Sequence, residues 1–362
     1  MNLLFIDRNT KVSGLNTYIC SLVPSLRRLG HHCFLIARGG PRLSVTRSLF
    51  DGFFWHPPLQ PFAGMAVARA IRRWDIDLIV TQTTACARHA FSTAQAAGVP
   101  VVMHIHNRTD LTNAGPAADY ATRIVVMNEN TAEHIRKGFP TLGPKVFVSV
   151  LPVNEEAFPA TPPRSEPGFA VAYCARLSRT KGEHALAAIE ATEPLMRQVP
   201  DLSLVIIGGR GGSRFRTARS RAADLNSRAG RQAVTLVGQT LDPRRYMEQA
   251  DLVIGAGYVA LEALSLNRRV LGVGFAGMFG EITPANLLDA VAANCGDTGA
   301  QTPDVTAAAL AEGINAAYRH HLQEGQITWG HERVAALCAP DAVAAQLGDL
   351  YLSAVEGRSH AR

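Results

Sequence analysis

The sequence has no pair of cysteines at C-x-x-C spacing. Its six cysteines, at positions 20, 33, 86, 174, 295 and 338, are scattered along 362 residues. That pattern argues against a zinc site or a disulfide framework, and for reduced thiols in a cytoplasmic protein. No apolar run reaches the length of a membrane span, because charges or prolines interrupt each one. The opening MNLLFIDRNT has no basic n-region and no signal-type apolar stretch, so it reads as a first strand. Zinc-finger spacing, a recognisable helix-turn-helix and an aromatic-interleaved basic sheet are also missing, so nucleic acid is not an expected partner. No solenoid period is found. The first strand is not followed by G-x-G-x-x-G, and no acidic residue follows the second strand. Both absences count against a dinucleotide cofactor in the first half.

What is present is a chain long enough for two domains, with 47% hydrophobic residues to fill two cores. Charge is uneven. Residues 1–155 hold 16 Lys and Arg against 9 Asp and Glu, whereas 156–362 hold 20 against 21. Within the second half, 210–231 contains seven arginines and one aspartate. Basic zones of this kind attract phosphorylated small molecules or anionic lipid. Short apolar runs alternate with helical spacing throughout, as Tyr18, Ile19, Leu22, Leu26 and Leu29 illustrate. The pattern predicts two Rossmann-like α/β domains, 1–154 and 169–338, and a C-terminal helix over 339–362. The proline-rich stretch 155–168 between them lacks periodicity and reads as a linker. Residues 48–74 read as an aromatic, proline-rich loop that ends in a helix with Arg69, Arg72 and Arg73 near Trp74. Asp75 and Asp77 form a D-x-D before a buried strand, where a start-of-strand role fits best.

The stretch 250–286 concentrates the chemistry. It reads as a strand, a turn through Gly255 and Gly257, a helix from Tyr258, a strand, and a second glycine loop over 274–280. A strand that runs through glycines into a helix aims free N–H groups, and the positive end of the helix dipole, at one point. Such a point suits a phosphate, against the plainer reading of an ordinary α/β turn. Glu262, one turn into the helix, suits a sugar hydroxyl. Upstream, Arg176 and Lys181 flank another strand-to-helix turn, where two cations oppose the helix dipole unless an anion sits between them. The glycines of 208–212 resemble a further phosphate-facing turn. Strand alternation puts His104 and His106 on one face at a strand's carboxyl end, where α/β sheets bind ligands.

In order and spacing these pieces resemble the family 4 retaining glycosyltransferases of the GT-B fold. The resemblance rests on Ser13-Gly14, Gly30-His31, Pro100-Val-Val…His106, Arg176…Lys181-Gly182 and Ala250-Asp251…Gly257…Leu261-Glu262-Ala263. It implies two Rossmann-like domains facing each other across a cleft, with the C-terminal helix packed on the first. It implies transfer of a sugar, with retention and without metal, from a UDP- or GDP-sugar donor to a sugar, lipid-linked or other small acceptor. The implied donor-diphosphate residues are Gly14, Arg176, Lys181, Gly257, Tyr258 and Val259, with the ribose on Glu262. His106 lies near the transferred sugar, and His106, Arg176 and Lys181 are the implied catalytic set. In one respect the chain departs from the family. The first Glu of the family's E-x7-E falls at Ile254, and Glu281 is the substitute expected to meet the donor sugar. The run Asn294-Cys-Gly-Asp297 resembles an N-F-G-D feature of a bacterial subgroup and has no assigned role. The basic first domain makes peripheral contact with the inner face of the membrane a further expectation. Two alternatives stay open: a sugar-nucleotide-binding scaffold that has lost its chemistry, and a sugar-nucleotide epimerase of the same fold.

Overall fold

The computed structural model describes every residue except 9–12, 41–42, 58–59, 107–110, 112–115, 178, 200, 300–303 and 360–362. The run that follows His106 therefore lies outside the described residues. The chain divides into two compact units, Met1–Val153 with Cys338–Arg362, and Asn154–Leu337.

In the first unit seven strands form one parallel sheet. They are β1 (Asn2–Asp7), β2 (His32–Ala37), β3 (Gly52–Trp55), β4 (Leu78–Thr81), β5 (Val101–Ile105), β6 (Arg123–Val126) and β7 (Val146–Val148), in the order β3-β2-β1-β4-β5-β6-β7. Continuous apolar runs suit strands covered on both faces. Leu3, Leu4, Phe5 and Ile6 are accordingly all fully buried. The helix Gly14–Arg28 forms as its spacing predicts, with Tyr18, Ile19, Leu22 and Leu26 turned inward. Helix Pro340–Ser359 packs against it. A hydrogen bond of 3.0 Å from this helix joins Tyr351 Oη to His104 Nε2. The aromatic stretch read as a loop instead supplies edge strand β3. Trp74 stacks on Phe34 and Phe54 at 4.7 and 4.4 Å, which holds that edge in place. Asp77 has the structural role expected of it, since its Oδ2 accepts from the Asn2 N–H at 2.7 Å.

The second unit has β8 (Ala170–Cys174), β9 (Ser203–Ile207), β10 (Val234–Gly238), β11 (Leu252–Gly255), β12 (Arg269–Gly274) and β13 (Gly277–Glu281), ordered β10-β9-β8-β11-β12-β13. All pairs are parallel except β12 with β13. The second glycine loop of the sequence reading is thus partly a strand. The stretch 155–168 is no free linker but a strap docked on this unit. Thr161 Oγ1 donates to the Leu266 carbonyl at 2.7 Å, and Arg164 pairs with buried Asp251 at 2.9 Å. Arg268 reaches the Pro162 carbonyl at 2.8 Å, and Arg244 reaches that of Ala157 at 2.7 Å. These are side-chain bonds at irregular intervals, so they leave no periodic trace in the sequence. The arginine-rich helix Ser213–Ala229 spends much of its charge on its neighbour, helix Arg179–Leu195. Arg214, Arg221 and Arg228, spaced by seven, pair with Glu183, Glu190 and Glu193.

Candidate functional site

In the second sheet the strand order reverses direction at β8. The chain leaves β8 for β9 on one side and later returns as β11 on the other, with Tyr173 opposite Ile254. Loops at such a switch point diverge and leave a crevice at the carboxyl ends of the strands. Both phosphate turns of the sequence reading, 175–181 and 255–258, lie at this switch.

After β11 only Ala256 and Gly257 separate strand from helix Tyr258–Ser265. Gly257 has φ +58° and ψ −127°, a backbone open in practice to glycine alone. Its N–H donates to the Asn294 carbonyl at 3.1 Å, and an added Cβ would sit 3.2 Å from Asn294 Oδ1. Gly257 has no side chain to cap the helix that follows, and the amino end of that helix lies at the carboxyl end of β11. Glu262, at 6% exposure, lies on the inner side of that helix. Its charge reaches Cys174 at the end of β8, whose thiol is pushed up to about 12 by burial first and then by Glu262, against an opposing effect of Lys181. Glu262 and Lys181 are thus both near enough to the end of β8 to act on that thiol.

The helix after β8 starts at Arg179, which places Lys181 inside its first turn. Lys181 Nζ pairs with Asp297 Oδ1 at 2.7 Å and lies 4.5 Å from the Phe275 ring centre. The same Asp297 oxygen accepts the Phe275 N–H at 3.0 Å. Tyr173 Oη donates to the Lys181 carbonyl at 2.7 Å and fixes the turn from below. Arg176 is exposed and has no ion pair among the described residues. Of the two cations expected to await an anion, only Arg176 is uncompensated. Gly208 and Gly209, at the start of the glycine run 208–212, are required by packing. A Cβ on Gly208 would lie 1.9 Å from the Ala175 carbonyl oxygen, and one on Gly209 would strike Phe215 and Leu177. Their role is to let the β9 loop close against the Arg176 turn.

The run 294–297, left without a role by the sequence, ties these pieces together. Asn294, Cys295 and Gly296 have φ of +48°, +55° and +104°. This left-handed path carries the chain from Gly257, which Asn294 receives, to Asp297, which holds Lys181 and Phe275. Gly274 is obligatory here, because a Cβ would come within 2.5 Å of Asp297. A pointer was present in the sequence, an Asn-x-Gly-Asp run of residues that tolerate positive φ, but nothing in it named the partners.

Two expectations are corrected. Glu281 does not face the glycine turn. Its Oε1 accepts from Arg269 Nη1 at 2.9 Å and its Oε2 is 2.6 Å from His320 Nδ1. Because β13 runs antiparallel to β12, its end lies back towards the amino end of β12, and Arg269 draws the carboxylate further that way. Ile254 is fully buried in the core of the unit, opposite Tyr173 and Leu271. Position 254 is thus a core position, not a vacated site position.

In the first unit the corresponding switch lies between β1 and β4. His106, just past β5, donates from Nε2 to Gln82 Oε1 at 3.2 Å. Tyr18 stands edge-on between the two histidines, 5.0 Å from His106 and 5.5 Å from His104. The pair separates in role. His104 is fully buried and bonded to Tyr351, a core histidine, whereas His106 is half-buried at the end of its strand. Gly14 is exposed at the amino end of its helix. Burial holds His106 down to about 4, and His104 well below the ordinary value, so both stay neutral at pH 7. A depressed histidine binds its proton in the unfolded chain first. Stability is therefore full above about pH 6.5 and declines as pH falls towards 4. We expect denaturant titration to give a stability lower by on the order of 2 kcal/mol at pH 5 than at pH 7. Equal stability at the two pH values would contradict the burial of this cluster.

Among the described residues no group of three or more His, Cys, Asp or Glu could hold a metal ion. None of their helices is long and apolar enough to cross a membrane. Residues 12–148 match the family described as Glycosyltransferase Family 4. No curated protein matches the chain in sequence. Solved structures do match in shape. HepE of Anabaena, in complex with UDP-glucose, is 17% identical with a TM-score of 0.71, covering 98% of this chain and 100% of its own. Sucrose-phosphate synthase of Thermosynechococcus elongatus is 19% identical with a TM-score of 0.73, covering 98% of each chain. UDP-GlcNAc 2-epimerase of Neisseria meningitidis, bound to UDP-GlcNAc, is 14% identical with a TM-score of 0.60, covering 98% and 100%. The chain is similar to all three across two α/β units with Rossmann-like parallel sheets, and its fold is GT-B.

Proposed function

We propose that the chain is a glycosyltransferase that takes a sugar from a nucleoside-diphosphate donor bound at the β8/β11 switch of its second unit. The observation that carries this reading is that Arg176, Lys181, the amino end of the helix that starts at Tyr258, and Glu262 all follow the adjacent strands β8 and β11. Backbone N–H groups at Tyr258 and Val259, reached through Gly257, hold one phosphate, and Arg176 and Lys181 hold the other. Glu262 accepts hydroxyls of the ribose. As the bond from the anomeric carbon to the phosphate oxygen breaks, its electron pair leaves with the diphosphate, and these donors stabilise the growing charge without a metal. The acceptor hydroxyl attacks from the face the diphosphate leaves, and its proton passes to the departing phosphate oxygen, which gives retention. In the first unit His106, neutral and aligned by Gln82, is the candidate hydrogen-bonding group for a sugar, and Gly14 the candidate backbone contact for a phosphate. The family match over 12–148 and the UDP-glucose complex of HepE support this reading. The excess of cations in residues 1–155 favours an anionic acceptor, or one held at a cytoplasmic membrane face.

The same nucleotide site serves a second reading, a sugar-nucleotide epimerase, which the likeness to the Neisseria enzyme favours. A panel of UDP, GDP, ADP and their sugar conjugates, scored by thermal stabilisation, tests both. One base series should raise the melting temperature in a concentration-dependent way. Stabilisation by none of the panel would remove the nucleotide site and both readings with it. An acceptor-free incubation that returns the epimeric sugar nucleotide would favour the epimerase.

A further inference from the structure

A diphosphate site has cause to exclude carboxylates, yet Asp297 stands within it. Its Oδ1 is spent twice, on Lys181 Nζ at 2.7 Å and on the Phe275 N–H at 3.0 Å. No hydrogen bond occupies Oδ2 among the described residues. Its side chain keeps 20% exposure, so it is neither sealed in the core nor loose in solvent. Pairing with Lys181 cancels its charge locally, which removes most of its repulsion for phosphate but leaves its remaining lone pairs able to accept. The other two carboxylate positions considered for the sugar are disqualified. Position 254 is core, and both oxygens of Glu281 are engaged with Arg269 and His320.

We propose that Asp297 receives a hydroxyl of the donor's sugar on Oδ2 while Oδ1 keeps Lys181 on the diphosphate. This rests on the nucleotide-sugar reading and assigns the sugar half of the site. The left-handed path through Asn294, Cys295 and Gly296 is what delivers a carboxylate to this point from an element distant in sequence. Charge favours the sugar rather than the phosphate as the ligand of Oδ2, because a free carboxylate oxygen accepts from hydroxyls and repels phosphate oxygens.

Calorimetry on the intact chain separates the possibilities. Its probes are the nucleoside diphosphate that binds best in the panel and the sugar conjugate of the same base. Asp297→Asn should weaken the sugar conjugate tenfold or more. It should leave the bare nucleoside diphosphate within about twofold, or tighten it, because Lys181 is released. Equal weakening of both ligands would overturn the proposal and make Asp297 a brace for Lys181 only, with the nucleotide site intact. A wild-type chain that binds neither ligand would overturn the nucleotide reading itself. If Asp297→Asn does not fold, wild-type binding of monodeoxy analogues of the sugar conjugate still decides. At least one missing hydroxyl should cost tenfold, and no loss from any of them would overturn the proposal.

Discussion

Replacing Arg176 by alanine should lower both sugar transfer and donor hydrolysis by about 10²–10³-fold and leave the unfolding midpoint unchanged. Arg176 is exposed and has no ion pair among the described residues, so its removal costs the fold nothing. On the proposed reading the whole effect then falls on the leaving diphosphate. Lys181→Met should be worse for binding, for a reason the structure supplies. Lys181 also neutralises Asp297. On the proposed reading its removal deletes a phosphate donor and leaves a bare carboxylate beside the phosphates. The double variant Lys181→Met with Asp297→Asn should therefore recover part of the lost affinity for the bare nucleoside diphosphate. Simple additivity of the two changes would deny that the residues act together. Unchanged turnover in Arg176→Ala, with a donor and acceptor that the wild type uses, would remove it from the mechanism.

Ile254→Glu, the change that restores the family's first Glu on paper, should unfold the second unit rather than improve activity. Ile254 is fully buried in β11, between β8 and β12. A carboxylate there has no partner and no water, and the cost is roughly 4 kcal/mol or more, much of a domain's net stability. Ile254→Val, which removes one methyl group, should cost only about 1 kcal/mol and keep nucleotide binding. Denaturant titration of both variants checks this. A well-folded Ile254→Glu with stronger donor binding would show that position 254 belongs to the site after all.

These two variants mark how far residue order carries. The alternation of buried strands and helices was readable because strands covered on both faces are continuous apolar runs, as in Leu3 to Ile6 and Leu252 to Ile254. The glycine turn at Gly257 and the cations at 176 and 181 were readable because each is a local feature of one strand-to-helix junction. What stayed hidden is what the fold brings together from afar. Asp297 lies over a hundred residues from Lys181 in sequence, and its approach depends on three successive left-handed residues. β13 escaped notice because Gly277 and Gly280, at φ +127° and +102°, disguise a bulged antiparallel strand as a loop. That same antiparallel direction turned Glu281 away from the switch point. A spacing rule also misled at Ile254, since β11 passes into its helix through a turn of only two residues. With so short a turn, eight residues back from Glu262 is still the core of the sheet.

The central claim is that a nucleoside diphosphate sits on the amides of the β11 turn, with Arg176 and Lys181 around it. Amide hydrogen exchange, followed by mass spectrometry with and without the best-binding nucleoside diphosphate, reads those amides directly. The account predicts slowed exchange confined chiefly to peptides that span 255–262 and 175–184. Ligand-dependent protection elsewhere in the chain, with these two segments unchanged, would contradict it.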